Sequence, residues 1–425
     1  MDDLLTGNSI TLLRSGEEYF PALLAAIDAA QQEIYLQTYI FEPDNTGVKV
    51  GAALKRAASR GVKVHLVLDG FGSKGLPKDY VKELRSANVE VIFYRPKISP
   101  WTLERSRLQR MHRKIAVMDA QIGFVGGINI IDDFNTPRNM APRLDYAVQV
   151  QGPILASIHA SVKSLRRRLY WKQLRSLKLH DFKFNSFKFN NLRPRKLKKR
   201  ASTQSEQSQK QNVPNVLEKS PAVAAIAMNN TGNVRAKFLV RDNLWHRRDI
   251  EDAYLAAIRT AKTEIIIANA YFLPGLKFRQ ALHKAAKRGV RVILLLQGRV
   301  EYLLLDFASH ALYSALLKQG IEIYEYHKSF MHSKVAVVDH QWAMVGSSNI
   351  DPFSLLMSRE ANIEIADAAF AKELRDELQL SIETGAKRVF AEDWQRGYFL
   401  RRLLSWLIYG LVRLMIGVSG YSTNR

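Results

Sequence analysis

The chain contains no cysteine. Disulfides, thiolate nucleophiles and cysteine zinc sites are therefore excluded, and a cytosolic location fits. A secretory start is also missing. Met1-Asp2-Asp3-Leu4-Leu5 has neither a basic n-region nor an apolar h-region, so no signal peptide is expected. Long uncharged apolar runs are absent as well: the longest near the C-terminus covers 403–412 and is broken by Arg413. A spanning helix needs about 20 apolar residues. Acids are few relative to bases, 40 Asp and Glu against 63 Lys and Arg, for a net charge of +23. Residues 163–200 alone hold a balance of +14, with Asp181 their one acid. So concentrated a charge points to a polyanionic surface, either nucleic acid or anionic lipid. Against these absences, 425 residues at 47% hydrophobic content are ample for two domains with full cores.

The pattern H-x-K-(x)4-D occurs twice. The first copy is His112-Arg113-Lys114, closed by Asp119, then Gly126-Gly127-Ile128-Asn129. The second is His332-Ser333-Lys334, closed by Asp339, then Gly346-Ser347-Ser348-Asn349. Identical internal spacing 220 residues apart argues for duplication of a half-site. Side chains alternate along a strand, so His112 and Lys114 share one face, as do His332 and Lys334. Gly127 and Asn129, like Ser347 and Asn349, share a face of the next strand, and their small residues leave room for a phosphate.

Two facing copies would supply two imidazoles, two ammonium groups and two amides at one point. Neutral imidazole attacks an anionic phosphodiester without charge repulsion, so one histidine can form a phosphohistidine while the other protonates the leaving alkoxide. Lys114, Lys334, Asn129 and Asn349 would hold the non-bridging oxygens. Two lysines already supply the cation, so neither metal nor cofactor is expected. Each imidazole also needs an orienting carboxylate. By the repeat these are Asp145, which opens Asp145-Tyr-Ala-Val-Gln-Val, and Glu360, in Glu360-Ala-Asn-Ile-Glu-Ile. Asp119 and Asp339 complete the motif and stand with the catalytic candidates, although, ending their strands, they are expected to brace it more than to touch phosphate. His65 reads as a structural histidine, and the remaining histidines lack a repeat partner.

The repeat extends beyond the motifs. Glu33-Ile-Tyr-Leu answers to Glu264-Ile-Ile-Ile, Arg60-Gly61-Val62-Lys63-Val64 to Arg288-Gly289-Val290-Arg291-Val292, and Val89-Glu90-Val91 to Ile321-Glu322-Ile323. Apolar residues at helical spacing, Leu23, Leu24, Ile27 and Tyr254, Leu255, Ile258, alternate with β-branched runs. The reading is an α/β fold of two pseudo-twofold-related lobes, each a mixed sheet flanked by helices. Its boundaries are a first lobe at 1–162, a basic, partly disordered insert at 163–225, a second lobe at 226–390 and an amphipathic, membrane-associating tail at 391–425. In the tail, Arg402, Ser405, Tyr409 and Arg413 share one helical stripe and leucines and isoleucines cover the rest, as suits an interfacial helix with Trp406 at the headgroups.

With the duplicated motif in place, the chain resembles the phospholipase D superfamily, most closely bacterial cardiolipin synthases of the B type. The likeness rests on Arg110-Met-His-Arg-Lys-Ile, Gly126-Gly127-Ile-Asn129, Asp145-Tyr-Ala-Val, Ile266-Ile-Ala-Asn-Ala-Tyr-Phe-Leu-Pro-Gly275 and Val345-Gly-Ser-Ser-Asn-Ile-Asp-Pro352, and covers roughly residues 9–160 and 236–385. It implies a phosphatidyl-enzyme on His112, His332 as acid and base, and transfer to a glycerol hydroxyl of phosphatidylglycerol. The expected partners are an anionic phospholipid substrate and a membrane surface, with no nucleic acid. The expected location is the cytoplasmic side of a bacterial inner membrane, as a peripheral or monotopic protein. The long basic insert departs from the pattern, as does Ser358 ahead of Arg359-Glu360. The alternative is a hydrolase or nuclease using the same two histidines, with Phe182, Phe184, Phe187 and Phe189 of the insert stacking on single-stranded bases.

Overall fold

In the computed structural model, residues 3–96, 109–136, 140, 142–186, 232–242, 246–299, 303–351, 358–392, 407–408 and 410 are described. The apolar loop 98–103, the Phe-Lys repeat from residue 187 onward, the Ser/Gln-rich stretch 201–220 and almost all of the 398–418 tail lie outside them. The chain divides into two compact units, Met1–Arg166 with Asn230–Arg425, and Arg167–Asn229. Both repeats therefore belong to one unit.

Each repeat builds the same half-sheet. In the first, β2 (Glu33–Thr38), β3 (Lys63–Asp69) and β4 (Val89–Tyr94) run parallel. They are linked by α2 (Asn45–Ser59) and α3 (Lys78–Ser86). The other edge of β2 takes β6 (Lys114–Met118), then β7 (Ile122–Gly126) and β8 (Tyr146–Gln151), all antiparallel. In the second repeat, β10 (Glu264–Asn269), β11 (Arg291–Gln297) and β12 (Glu322–Tyr326) play the parallel part. There β13 (Lys334–Val338), β14 (Trp342–Gly346) and β15 (Ser358–Ala366) play the antiparallel one. Buried on both faces, β10 and β13 read as continuous apolar runs.

Two strands outside the recognised repeat join the halves. β1 (Leu5–Arg14) pairs with β8, β9 (Val234–Arg241) pairs with β15, and β1 and β9 pair with each other. One mixed sheet of sixteen strands results among the described residues. Helices cover its outer faces, α1 (Ser15–Ala29) with α2 on the first half and α5 (Asp249–Thr260) with α6 (Leu276–Lys287) on the second. A third apolar cluster draws on both halves: Val125 and Val148 meet Val345 and Ile363 beneath Leu374 and Leu378 of the helix 368–385. This shared core makes the repeats inseparable, because opening them would expose both inner faces to water.

The motif hairpins carry a turn that few sequences accept. Asp119 and Ala120 have φ of 52° and 53°, and Asp339 and His340 have 51° and 55°. Gln121 N–H donates to Met118 O at 2.9 Å, and Gln341 N–H to Val338 O at 3.1 Å. Two successive left-handed residues suit the right-handed twist of a tight hairpin, and aspartate tolerates that region better than most residues.

Candidate active site

Both histidines stand where strands end and the two halves meet. His112 follows the two-residue strand β5 (Arg110–Met111), which pairs with Ser358 and Arg359 of β15. His112 and Arg113 N–H both donate to Arg359 O, at 3.0 and 2.9 Å. In the mirror arrangement His332 N–H donates to Leu144 O at 2.8 Å and Leu144 N–H to Phe330 O at 2.9 Å. The imidazole centroids face each other 6.5 Å apart, a gap suited to one tetrahedral phosphorus.

The orienting carboxylates cross between the halves. His112 Nδ1 donates to Glu360 of the second repeat, lying 3.0 and 3.1 Å from its two oxygens. His332 Nδ1 donates to Asp145 of the first repeat at 2.7 Å. Neither half thus holds a complete histidine–carboxylate pair. Both Nδ1 protons are committed to carboxylates, so Nε2 carries the lone pair on each ring. Glu360 is fully buried and Asp145 nearly so.

The lysines lie under the histidines. Lys114 Nζ sits 3.1 Å from His112 Nε2 and donates to His112 O at 2.7 Å, while Lys334 Nζ donates to His332 O. Burial and the facing Lys334 ammonium push the Lys114 pKa down to about 7. His332 is held well below its usual value by burial, then by Lys334, Lys114 and Arg143. Burial lowers His112 too, against the pull of Glu360. Both rings are thus kept neutral, as nucleophilic attack requires. Burial raises Asp145 to about 6, with both lysines opposing the rise.

Both amides are buried: Asn129 Oδ1 accepts Ile40 N–H at 3.1 Å, and Asn349 holds the equivalent position in the second half. His112, Lys114, Asp145, His332, Lys334 and Glu360 thus gather where the two halves meet.

Asp119 and Asp339 do not, and they leave the set of catalytic candidates. Each sits in its hairpin turn at the far end of the motif strand. Asp119 accepts the N–H groups of Gln31, Gln32 and Glu33 at 2.7–2.8 Å, tying the turn to the start of β2. Asp339 accepts those of Lys262, Thr263 and Glu264 at 2.7–3.0 Å. Four strand residues, and so five steps along the strand, separate aspartate from lysine, a span of roughly 16 Å, beyond reach of a phosphate held by the histidines.

The small residues have a job that spacing alone did not reveal. Gly127 leaves space for the Asp145 carboxylate, not for phosphate: a Cβ there would stand 2.2 Å from Oδ1. Its counterpart Ser347 donates its hydroxyl to Glu360 at 2.6 Å. The shorter Asp145 thus pairs with glycine and the longer Glu360 with serine. Arg143, which acts on both His332 and Asp145, was also missed, because its counterpart in the repeat is Ser358. His65 is structural as read, bonded to Glu90 at 2.6 Å. Among the described residues no cluster of histidine and acidic groups could hold a metal ion.

Comparison with known proteins agrees with this geometry. A family model described as cardiolipin synthase, PLD-like domain, matches residues 23–161 and 254–381. Cardiolipin synthase B of Salmonella typhi is 39% identical over 90% of this chain and 82% of its own length. That of Escherichia coli K12 is 36% identical over the same shares. Among solved structures, a phosphatidylserine synthase from Haemophilus influenzae superposes with a TM-score of 0.65 at 12% identity, covering 97% of this chain and 95% of that one. A polyphosphate kinase from Porphyromonas gingivalis gives 0.52 at 14% identity, covering 97% and 54%. At such low identity both structures speak for the fold alone. Duplicated motif, duplicated half-sheet and sequence relatives converge: the chain belongs to the cardiolipin synthase family of phospholipase D-like proteins.

Proposed function

We propose that this protein is a cardiolipin synthase that transfers a phosphatidyl group from one phosphatidylglycerol to the glycerol hydroxyl of another and releases glycerol. The observation that carries this reading is the pair of cross-half histidine–carboxylate dyads facing over 6.5 Å with a lysine beneath each.

In the first step His112 Nε2 attacks phosphorus. The bond from phosphorus to the departing glycerol oxygen breaks, and His332 gives that oxygen a proton. A bound phosphodiester anion raises the pKa of the imidazole it faces, which offsets the low value His332 has in the empty site. In the second step His332 takes the proton of the incoming hydroxyl, its oxygen bonds to phosphorus, and the phosphorus–nitrogen bond breaks. Lys114 and Lys334 hold the non-bridging oxygens while negative charge builds, a role whose loss typically costs ~10²–10³ in rate. Lys114 must first leave His112 Nε2, and the phosphate oxygen supplies the partner that draws it off.

Residues 1–162 and 226–390 supply the half-sites in this reading. The basic insert 163–225 and the tail 391–425 bring the site to an anionic membrane surface, with the protein peripheral or monotopic on the cytoplasmic side. No helix among the described residues is long and apolar enough to cross a membrane. Deleting 391–425 should release the protein from phosphatidylglycerol vesicles in a flotation assay; unchanged flotation would refute the anchoring role.

The test of the chemistry is to mix purified protein with phosphatidylglycerol vesicles and EDTA and to identify the lipid products by mass. Cardiolipin and glycerol, both lost in His112→Ala and His332→Ala, are the expected products. Phosphatidic acid alone would mean a hydrolase. No lipid turnover together with oligonucleotide cleavage at low salt would mean a nuclease.

A further inference from the structure

Each histidine segment is tied to the opposite half through the backbone of Arg359 or Leu144. The N–H of the residue just before each histidine instead turns to its own half, where a side chain at the end of a parallel strand receives it. Met111 N–H donates to Asp69 Oδ2 at 2.9 Å. Met331 N–H donates to Gln297 Oε1 at 3.2 Å. Asp69 ends β3 and Gln297 ends β11, so they occupy the same place in the two repeats. Both are buried, Asp69 completely. Asp69 does more than its counterpart: Oδ1 also accepts Phe71 N–H at 2.9 Å and Gly72 N–H at 3.1 Å, and Arg110 Nη1 lies 3.6 Å away. The repeat has kept the acceptor oxygen and changed the charge.

We propose that Asp69 and Gln297 are positioning residues for His112 and His332. A buried N–H without an acceptor is costly, so losing either side chain would let the histidine segment move to find another. The charges acting on Lys114 come from both halves. Lys334 opposes its protonation, and Glu360, Asp145 and Asp69 favour it, while His112 contacts it through Nε2 and its carbonyl. Burial pushes the Asp69 carboxyl up, but three N–H donors and Arg110 work to keep it ionised. Gln297 brings no such charge to the His332 side, so the two half-sites differ electrostatically.

The substrate in the test rests on the cardiolipin synthase reading; the pH behaviour does not. Total phosphatidylglycerol consumption is followed against pH, whatever the product, so a wild type that makes only phosphatidic acid would sink that reading and leave this one standing. Asp69→Asn orphans one N–H and should lower kcat about tenfold. It should also move the alkaline limb of kcat/KM to lower pH, because Lys114 loses a carboxylate. Gln297→Leu should lower kcat to a similar degree with the limb in place. Gln297→Glu, which keeps the acceptor oxygen and adds a charge, should move the limb to higher pH, and it carries the test if Asp69→Asn does not fold. An alkaline limb unmoved in both charge-altering variants would overturn the electrostatic role. Wild-type kcat in Asp69→Asn and Gln297→Leu would overturn the positioning role.

Discussion

Replacing Gly127 by alanine adds one methyl group to a site with no free space on that side. The new Cβ would meet Asp145 Oδ1 at 2.2 Å and Oδ2 at 2.6 Å, where ordinary contact begins at 3.4 Å. The carboxylate must therefore retreat by roughly 1 Å, the scale of misplacement that can cost ~10² in rate. Its retreat is not free: Oδ1 holds Tyr146 N–H at 2.8 Å and Oδ2 holds His332 Nδ1 at 2.7 Å. The acceptor of the His332 proton moves, and the ring loses both its tautomer and its aim. We expect kcat for cardiolipin formation to fall about 100-fold. Stability should drop by about 1–3 kcal/mol, as in other overpacked interiors. The assay is product analysis from phosphatidylglycerol vesicles, with a denaturant melt to show that the variant is folded. A folded Gly127→Ala enzyme within threefold of wild type would refute the argument that glycine is there to admit Asp145. Ser347→Ala makes the matched comparison on the other side. It removes one donor from Glu360 but displaces nothing, so a smaller loss, about tenfold, is expected.

Other tests address the cations and the braces. Lys114 is cationic only below its pKa, so kcat/KM, which reports the free enzyme, should fall as pH rises through about 7. The kcat profile should hold to higher pH because the bound phosphodiester favours the ammonium; a flat kcat/KM between about pH 6 and 9 would contradict this. Burial and the Lys334 ammonium leave the Lys114 ammonium poorly stabilised in the fold, so Lys114→Met should cost less in folding stability than in rate. Asp339→Asn should weaken the fold by about 1–3 kcal/mol and leave the kcat of the folded fraction near wild type. The Asp339 carboxyl titrates below its ordinary value because three backbone N–H groups and Thr263 outweigh burial. Its contribution is therefore present above the unfolded carboxyl pKa and lost as pH falls through the folded one. Acid unfolding curves of wild type and Asp339→Asn should converge at low pH, and a constant gap would reject the brace.

Much of this was legible in the chain because a duplication repeats its own evidence. The spacing of His112 to Asp119 and of His332 to Asp339, and the alternation that puts histidine and lysine on one face, are local properties of a strand. Local properties survive in sequence. The same holds for the α/β alternation, and for Asp145 and Glu360, which stand out as carboxylates on the matching strands that follow each motif. Pairing belongs to the tertiary structure. Nothing along the chain says that Glu360 serves His112 and Asp145 serves His332, because the exchange depends on β5 crossing to β15 and Leu144 to Met331. β1 and β9 escaped notice for a related reason: they lie before the repeats that periodicity detects, and their partners are more than a hundred residues away. The turn geometry at Asp119 and Asp339, the space left by Gly127 and the hydroxyl of Ser347 are likewise matters of ångströms, which no spacing encodes. Residue type and short-range order carry the candidate reacting groups and their duplication, so these can be read from the chain alone. Only the tertiary structure decided which carboxylate holds which histidine and how far both imidazoles are driven toward neutrality, because both depend on burial and on charges brought in from the other half.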